Sequence, residues 1–429
     1  MPERPVRFRM ILLCAVALVA ADSSIVVLAL PELLTRFGNS ISATAWTITG
    51  FNSAAAITAL LVYLLRSRSR ARTLLLGGLV LFTAATVACA AATSLAFLIE
   101  CRVVQGAGAG LVLAGAVIEL GPAPAASATT VGLALGPALG GALTQAFSWR
   151  AIFIAQLPFV GAAIVPAARA TRRTAETRTA RLRPRETAAL VFASAALVGA
   201  LFLAVLLIVE GHGLSPISAA AVVSLLPVAG LLAPRFSDAS PPFGLGVLAA
   251  GLALLMLATG SLVLVAVALA ACGIGLGLSL SFLGERAALP GVAARHAGVV
   301  LGLALIAPLV AHDVSVNARR AELDGAALVA RAHLPLLTKV GVGAALYVKV
   351  KRTRQGRLPD FRRVFDTARR LSPGAAPELT ALEHRLVRTE RDAVASAFAR
   401  SFGVSSVLAV LAFLALLAPA PHARNAGAD

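Results

Sequence analysis

Twelve apolar runs, most of them close to the length that crosses a hydrocarbon layer, account for the greater part of this chain of 429 residues. A spanning helix needs about 20 such residues, and on that scale the runs lie at about 10–31, 44–65, 73–92, 95–118, 125–146 and 151–170. A second set lies at about 188–209, 216–233, 242–260, 261–283, 297–312 and 398–419, the short eleventh run being able to continue into the polar stretch beyond it. Lipid offers a backbone nothing to bond with, so spanning segments are helices or closed barrels. Only 14% of residues are charged, against about 25% in a soluble protein. The expected fold is an all-α integral membrane protein with about 12 transmembrane helices.

Arg4, Arg7 and Arg9 followed by Ile11–Ala20 look like a secretory leader. Apolar character resumes at Ile25 and runs to Leu30, so the segment is read as a retained first helix. Cys14, Cys89, Cys101 and Cys272 all fall in apolar runs and are expected to be free, buried and small.

The net charge of +18 is placed as topology, not as a nucleic-acid surface. With the N-terminus inside, seventeen Arg and Lys fall on the inner side: Arg4, Arg7 and Arg9, then Arg66, Arg68, Arg70 and Arg72, seven in 169–185, then Arg235, Arg286 and Arg295. The outer side has Arg36 and Arg150. Both termini are therefore expected in the cytoplasm of a plasma-membrane, multi-pass protein. Trp46 and Trp149 are expected at outer ends as interfacial anchors.

The basic, polar stretch 171–187 divides the runs six and six. This predicts an N-terminal six-helix bundle over 1–170, a cytoplasmic interdomain linker, and a C-terminal six-helix bundle over 188–429. Local chemistry repeats across the divide: Gly106-Ala-Gly108-Ala-Gly110 in run four answers Gly273-Ile-Gly275-Leu-Gly277 in run ten, and Gly132-Leu-Ala-Leu-Gly136-Pro137 in run five answers Gly302-Leu-Ala-Leu-Ile-Ala-Pro308 in run eleven. Two pseudo-symmetric bundles follow.

A polar insert at 313–397 interrupts the second set, with 16 Arg and Lys against 9 Asp and Glu. It is too long to obey the charge rule, which allows an extracytoplasmic place. Leu379, Leu382, Leu386 and Val394 after Pro377 predict an amphipathic helix leading into the last span. Leu334–Val348 reads as a buried or interfacial helix.

Gly132, Gly136, Pro137, Gly140 and Gly141 would cripple a soluble helix, at about 1 kcal/mol per Gly and 3 for Pro. Between lipid-embedded helices they permit close backbone approach. The pattern G-x-x-x-G-P-x-x-G-G resembles the fifth-helix antiporter motif of the major facilitator superfamily. Asp22-Ser-Ser-Ile25-Val-Val-Leu-Ala-Leu-Pro31 is similar to the first-span signature of its drug:proton antiporter branch. Arg102-Val-Val-Gln105-Gly106-Ala-Gly108-Ala-Gly110 is similar to the branch's fourth-span motif, and Phe147-Ser-Trp149-Arg150-Ala-Ile-Phe153 to the turn after span five. These motifs cover residues 22–160. The second half resembles the branch more faintly, at Leu214-Ser-Pro216 through Leu226-Pro227 and around Gly273. The branch often has fourteen spans, where this chain has twelve.

Asp22 lies about 18 Å into its helix at 1.5 Å per residue, near the midplane. An ionised carboxylate there costs about 2.5–3.5 kcal/mol on insertion scales. It is either a proton or substrate-cation site or a structural partner for polar groups on a neighbouring helix. Arg102 has Gln105 and Gly106 at i+3 and i+4, on one face. The resemblance implies that Arg102 assists proton coupling; the alternative is a static ion pair with Glu100 or a backbone cluster. The glycine motifs, Gly106, Gly108 and Gly110 included, either seal one side of the pathway or simply pack. Glu119, Glu210, His312 and Asp313 read as solvated helix ends, and Arg295 and His296 as part of a cytoplasmic loop.

One departure from the superfamily lies between spans two and three, where its loop normally reads G-x-x-x-D-x-x-G-R. Arg66 and Ser69 occupy the Asp and Gly positions, and Arg235-Phe-Ser-Asp238 after span eight retains a partial version. The link between spans four and five is short. No P-loop, zinc, nucleophile-elbow or spaced Cys/His signature is present, so no enzyme, metal or cofactor is expected. The resemblance implies a monomeric, proton-coupled exporter of a small lipophilic organic compound. Its rivals are a non-transporting receptor or scaffold that uses the basic insert, and a metabolite facilitator or symporter.

Overall fold

A computed structural model describes residues 6–65, 70–170, 183–236, 239–352 and 361–418. Six helices lead: α1 Arg7–Phe37, α2 Ile41–Leu64, α3 Ala71–Ala90, α4 Leu95–Leu120, α5 Pro122–Ala146 and α6 Ala151–Ala168. Six more apolar helices follow, as α7 Pro184–Gly211, α8 Pro216–Phe236, the shorter α9 Pro241–Leu257, α10 Leu262–Leu280, α11 Phe282–Arg331 and, last in the chain, α15 Ala399–Leu417. Between them the insert folds as α12 Leu336–Arg352, α13 Arg362–Leu371 and α14 Ala376–Ala397. The protein is a helical membrane protein of about twelve spans, as expected from the apolar runs.

Turn chemistry on one face sets the helix starts. Helices α2, α4, α8 and α10 open on Ser40, Ser94, Ser215 and Ser261, whose hydroxyls accept from backbone amides three residues on. Each satisfies a donor that the first helical turn leaves free. The α4–α5 link is the single residue Gly121 at φ 94°, which only glycine adopts without strain.

The glycines set interhelix distance, and the repeat seen in sequence is a repeat in space. On α4, Gly106 and Gly110 face the α2 backbone at Phe51 and Ala55, while Gly108 faces α3 at Phe82. On α10, Gly273 and Gly277 face α8 at Leu226 and Gly230, while Gly275 faces α9 at Leu248. A methyl at any of these six would meet backbone atoms, so helix contact is set by main-chain contact. On α5, Gly132, Gly136 and Gly140 lie in the same way against Ala17, Ser24 and Ile25 of α1.

The insert has its own core. Leu379, Leu382 and Leu386 are buried against Phe365, Val342 and Val329, and α12 turns Leu336, Leu337 and Val340 outward. Arg369 braces the insert through Glu383 at 2.7 Å and Asp366 at 2.6 Å, and these carboxylates hold its guanidinium above its ordinary range.

Several expectations are corrected. Trp149 is not an interfacial anchor but is 1% exposed, edge-on to Phe37 and Phe153. Trp46 is exposed. Cys14 is also exposed, whereas the other three cysteines are buried. The eleventh run does continue into the polar stretch, as its shortness allowed: α11 reaches Arg331, and its last turns pack into the insert. Asp313 is therefore no solvated end but is buried and bonded to Arg400 at 2.9 Å. Arg295 and His296 lie in no loop. The backbone runs helically from Leu262 to Arg331 with one non-helical residue, Ala288, and both side chains are buried. Arg66, Ser69, Asp238, residues 171–182 of the linker and the side chain of Val394 lie outside the described residues.

Candidate functional site

Five spans of the first half converge on Asp22. Its helix, α1, carries a 3-10 turn at Val26–Ala29 just beyond, and the carboxylate is fully buried. Arg102 on α4 reaches it from the side: Nη1 is paired with Asp22 Oδ2, and Nη2 donates to the Asp22 carbonyl at 3.3 Å. The other guanidinium contacts are equally specific. Nε donates to Thr47 O on α2 at 3.0 Å, and Nη1 to Gln105 Oε1 at 2.7 Å. The planar group lies over the Phe51 ring at 4.2 Å, with Phe153 at 5.8 Å beyond.

Asp22, Arg102 and Gln105 are thus brought together; helical spacing alone accounts for Arg102 and Gln105 sharing a face. Glu100, the alternative partner, is exposed. Its helix position explains this: two residues from Arg102 is slightly more than a half-turn, on the opposite face. Two members of the network were missed. Gln156 on α6 donates from Nε2 to Asp22 Oδ1 at 2.7 Å, and Thr86 on α3 accepts from Gln105 Nε2 at 2.8 Å. Gln156 is the one uncharged amide within the apolar run 151–170, and that oddity was the available signal. Gly106, next on α4, lets the α2 backbone at Phe51 close over the network.

The glycine–proline motif lies elsewhere. Gly132 and Gly136 hold α5 against α1, but Gly141 faces Ala220 and Pro216 of α8, in the other half. Pro137 lines a small apolar cavity of about 40 Å³ with Leu133, Leu197, Leu226 and Leu276. The halves also touch where Ser42 donates to Ala307 O at 3.4 Å and where His296 Nδ1 meets Asn52 Oδ1 at 2.7 Å. Toward the opposite face, Leu289 and Val292 pack into the core of the first half. The halves thus meet at several levels, with small cavities between those contacts. Glu119 and Glu210 sit partly buried at the ends of α4 and α7. Among the described residues no group of three or more His, Cys, Asp or Glu could hold a metal ion.

Comparison with known proteins gives the same fold. The family model of the Major Facilitator Superfamily matches residues 12–120 and 123–308. A multidrug export protein EmrB of Escherichia coli is 35% identical over 174 residues, 38% of this chain and 34% of that one. A multidrug resistance protein B homolog of Mycobacterium tuberculosis is 34% identical over 168 residues, 36% of this chain and 31% of its own. The chain thus spans about a third of the length of these curated relatives. A solved bacterial homolog of the human lysosomal transporter Spinster, inward-facing and occupied, superposes with a TM-score of 0.62 at 15% identity, covering 96% of this chain and 97% of that one.

Proposed function

Because the chain belongs to the Major Facilitator Superfamily, we propose that it is a secondary transporter exporting a small lipophilic organic compound in exchange for protons. The observation that carries this reading is the buried Asp22–Arg102 pair. An intramembrane carboxylate is a functional candidate by default, and here a proton on it has a definite consequence. Protonation would remove the negative partner of Arg102 and leave the guanidinium with carbonyl and amide acceptors only. Contacts among α1, α2, α3, α4 and α6 would then change together, which is what coupling requires of a two-state element. Relatives named for multidrug export and lincomycin resistance support the direction and the cargo class, and so does the apolar lining around Pro137.

In this reading 1–170 and 188–429 rock against each other about the linker 171–187, as a single chain in the plasma membrane with cytoplasmic termini. The charge placement supports that orientation even with Arg295 removed from it. On the opposite face Arg150 is occupied in binding the carbonyls of Ala90 and Ala92 at the end of α3.

The test is proton movement in proteoliposomes challenged with lipophilic cations, neutral compounds and acids. Substrate-triggered flux in wild type that disappears in Asp22→Asn is expected. Undiminished flux in Asp22→Asn protein would remove the carboxylate from coupling. A second reading, a receptor or scaffold, is favoured by the insert's separate core and by a cleft of about 490 Å³ between it and the ends of α7 and α9. Deleting about 315–395 separates the two: a transporter keeps partial flux, whereas an insert-based binder loses its partner altogether.

A further inference from the structure

The seam between the halves contains a second buried arginine, and it is unlike the first. Arg295 on α11 is 8% exposed. It lies within 4 Å of no carboxylate among the described residues, and its Nη1 has no hydrogen-bond partner. It sits between two cavities of about 30 Å³ each, room for about one water apiece.

The central cavity brings other unsatisfied groups to the same point. Ser23 on α1 and Ser194 on α7 line it with Arg295, and neither hydroxyl has a partner. The three therefore come from both halves. Beside Arg295, Asn52 donates from Nδ2 to Ile48 O at 2.9 Å. Its Oδ1 thus accepts from His296 Nδ1, which fixes the imidazole with Nε2 free of that bond. The arginine also has space kept for it: a Cβ at Gly284 would lie 2.8 Å from Arg295 Nη2.

A cation buried in a membrane protein without a counter-ion is costly. Evolution of a merely structural site would favour an apolar residue or a paired acid. We propose that Arg295, flanked by Ser23 and Ser194, receives the acidic group of the transported compound, so that the cargo is a lipophilic organic anion. An anionic head group arriving there completes the ion pair and satisfies hydroxyls of both halves at once. With room for about one water in each cavity, the halves must part around the rest of the compound, so binding favours an arrangement more open than this one. The inference rests on the transport reading for the word cargo, but the site is tested by binding without any gradient.

The experiment is equilibrium binding to purified full-length protein in detergent, in gluconate buffer, using benzoate, octanoate and 2-naphthoate, each against its neutral amide, with chloride as a separate titrant. At least one acid should bind tenfold or more tightly than its amide. That preference should vanish in Arg295→Gln, persist in part in Arg295→Lys, and fall several-fold in Gly284→Ala, which keeps the arginine but fills its space. The thermal midpoint of the empty protein should stay level or rise in Arg295→Met, a readout that a structural arginine would move downward. The proposal is overturned by equal binding of every acid and its amide, by chloride binding alone, or by an acid preference that survives Arg295→Gln. If acid binding holds while proton flux is absent, the transport reading fails and the site stands.

Discussion

The two buried arginines of this protein are built on opposite plans. Arg102 has an ion pair, three further acceptors and an aromatic face, and it borders none of the cavities described above. Arg295 has no carboxylate among the described residues, one unpartnered nitrogen, and a cavity on either side. Burial alone therefore says little about the role of a charged group; what matters is whether its partners come from the fold. In the transport reading proposed above, a charge whose partners all come from the fold is released by a proton on its carboxylate. Where the fold leaves the charge uncompensated, the partner proposed above comes from outside.

The sharpest way to break that contrast is to remove each cation in turn. Arg102→Met leaves Asp22 charged, buried and unpaired, which costs about 3–5 kcal/mol. A large fall in the thermal midpoint is expected by fluorescence-detected size exclusion. Arg295→Met should cause no such fall. The reverse order of stabilities would mean that the pairing seen around Arg102 contributes little and that Arg295 is structural.

The next effect belongs to the Asp22 network. Asp22→Asn should be partly rescued by Arg102→Gln, with a coupling of about 1–3 kcal/mol for residues in direct contact. Asp22→Asn combined with Arg295→Gln should be additive, since the two groups share no partner. Additivity within the first pair would sink the idea that Asp22 and Arg102 act as one unit.

Glycine substitutions give effects of opposite sign. Gly106→Ala and Gly273→Ala place a methyl against backbone at equivalent points of the two halves, and overpacking of this kind costs about 1–3 kcal/mol. Gly246→Ala, in α9 with nothing within 4 Å of the new methyl, should stabilise by up to about 1 kcal/mol through helix propensity. Similar losses at 106 and 273 would support a repeat that is energetic as well as geometric.

The first arginine was legible in the sequence and the second was not, for a physical reason. Asp22, Arg102 and Gln105 stand out because each interrupts an apolar run, and helical spacing alone puts Arg102 and Gln105 on one face. Arg295 lies in the stretch from Gly284 to His296, where Arg286, Pro290 and a second Arg read as a loop by every local rule. The chain instead turns at Ala288 within an otherwise helical run. The tertiary packing of Leu289 and Val292 against the first half overrides local polarity. Trp149 failed for a similar reason: its place at a span end was read correctly, but Phe37 and Phe153 cover it. The insert helix was visible because Leu379, Leu382 and Leu386 keep a helical period outside the membrane, where periodicity still reports burial.

The smallest expected effect concerns how Arg295 is brought to the seam. Ala288 has φ 48° and ψ −127°, a conformation natural to glycine and strained by about 1–3 kcal/mol for a residue with a side chain. Arg102 needs no such device, since α4 carries it on a regular helix. Ala288→Gly should therefore raise the thermal midpoint by the equivalent of about 1 kcal/mol while leaving acid binding within twofold of wild type. A gain in stability with weakened acid binding would mean something more specific. The strained turn would then hold Arg295 in position, and relaxing it would let the guanidinium leave the cavity. No gain at all would mean that Ala288 carries no strain, and that the polar stretch from Gly284 to His296 is drawn into the helical run by something other than a turn at that residue.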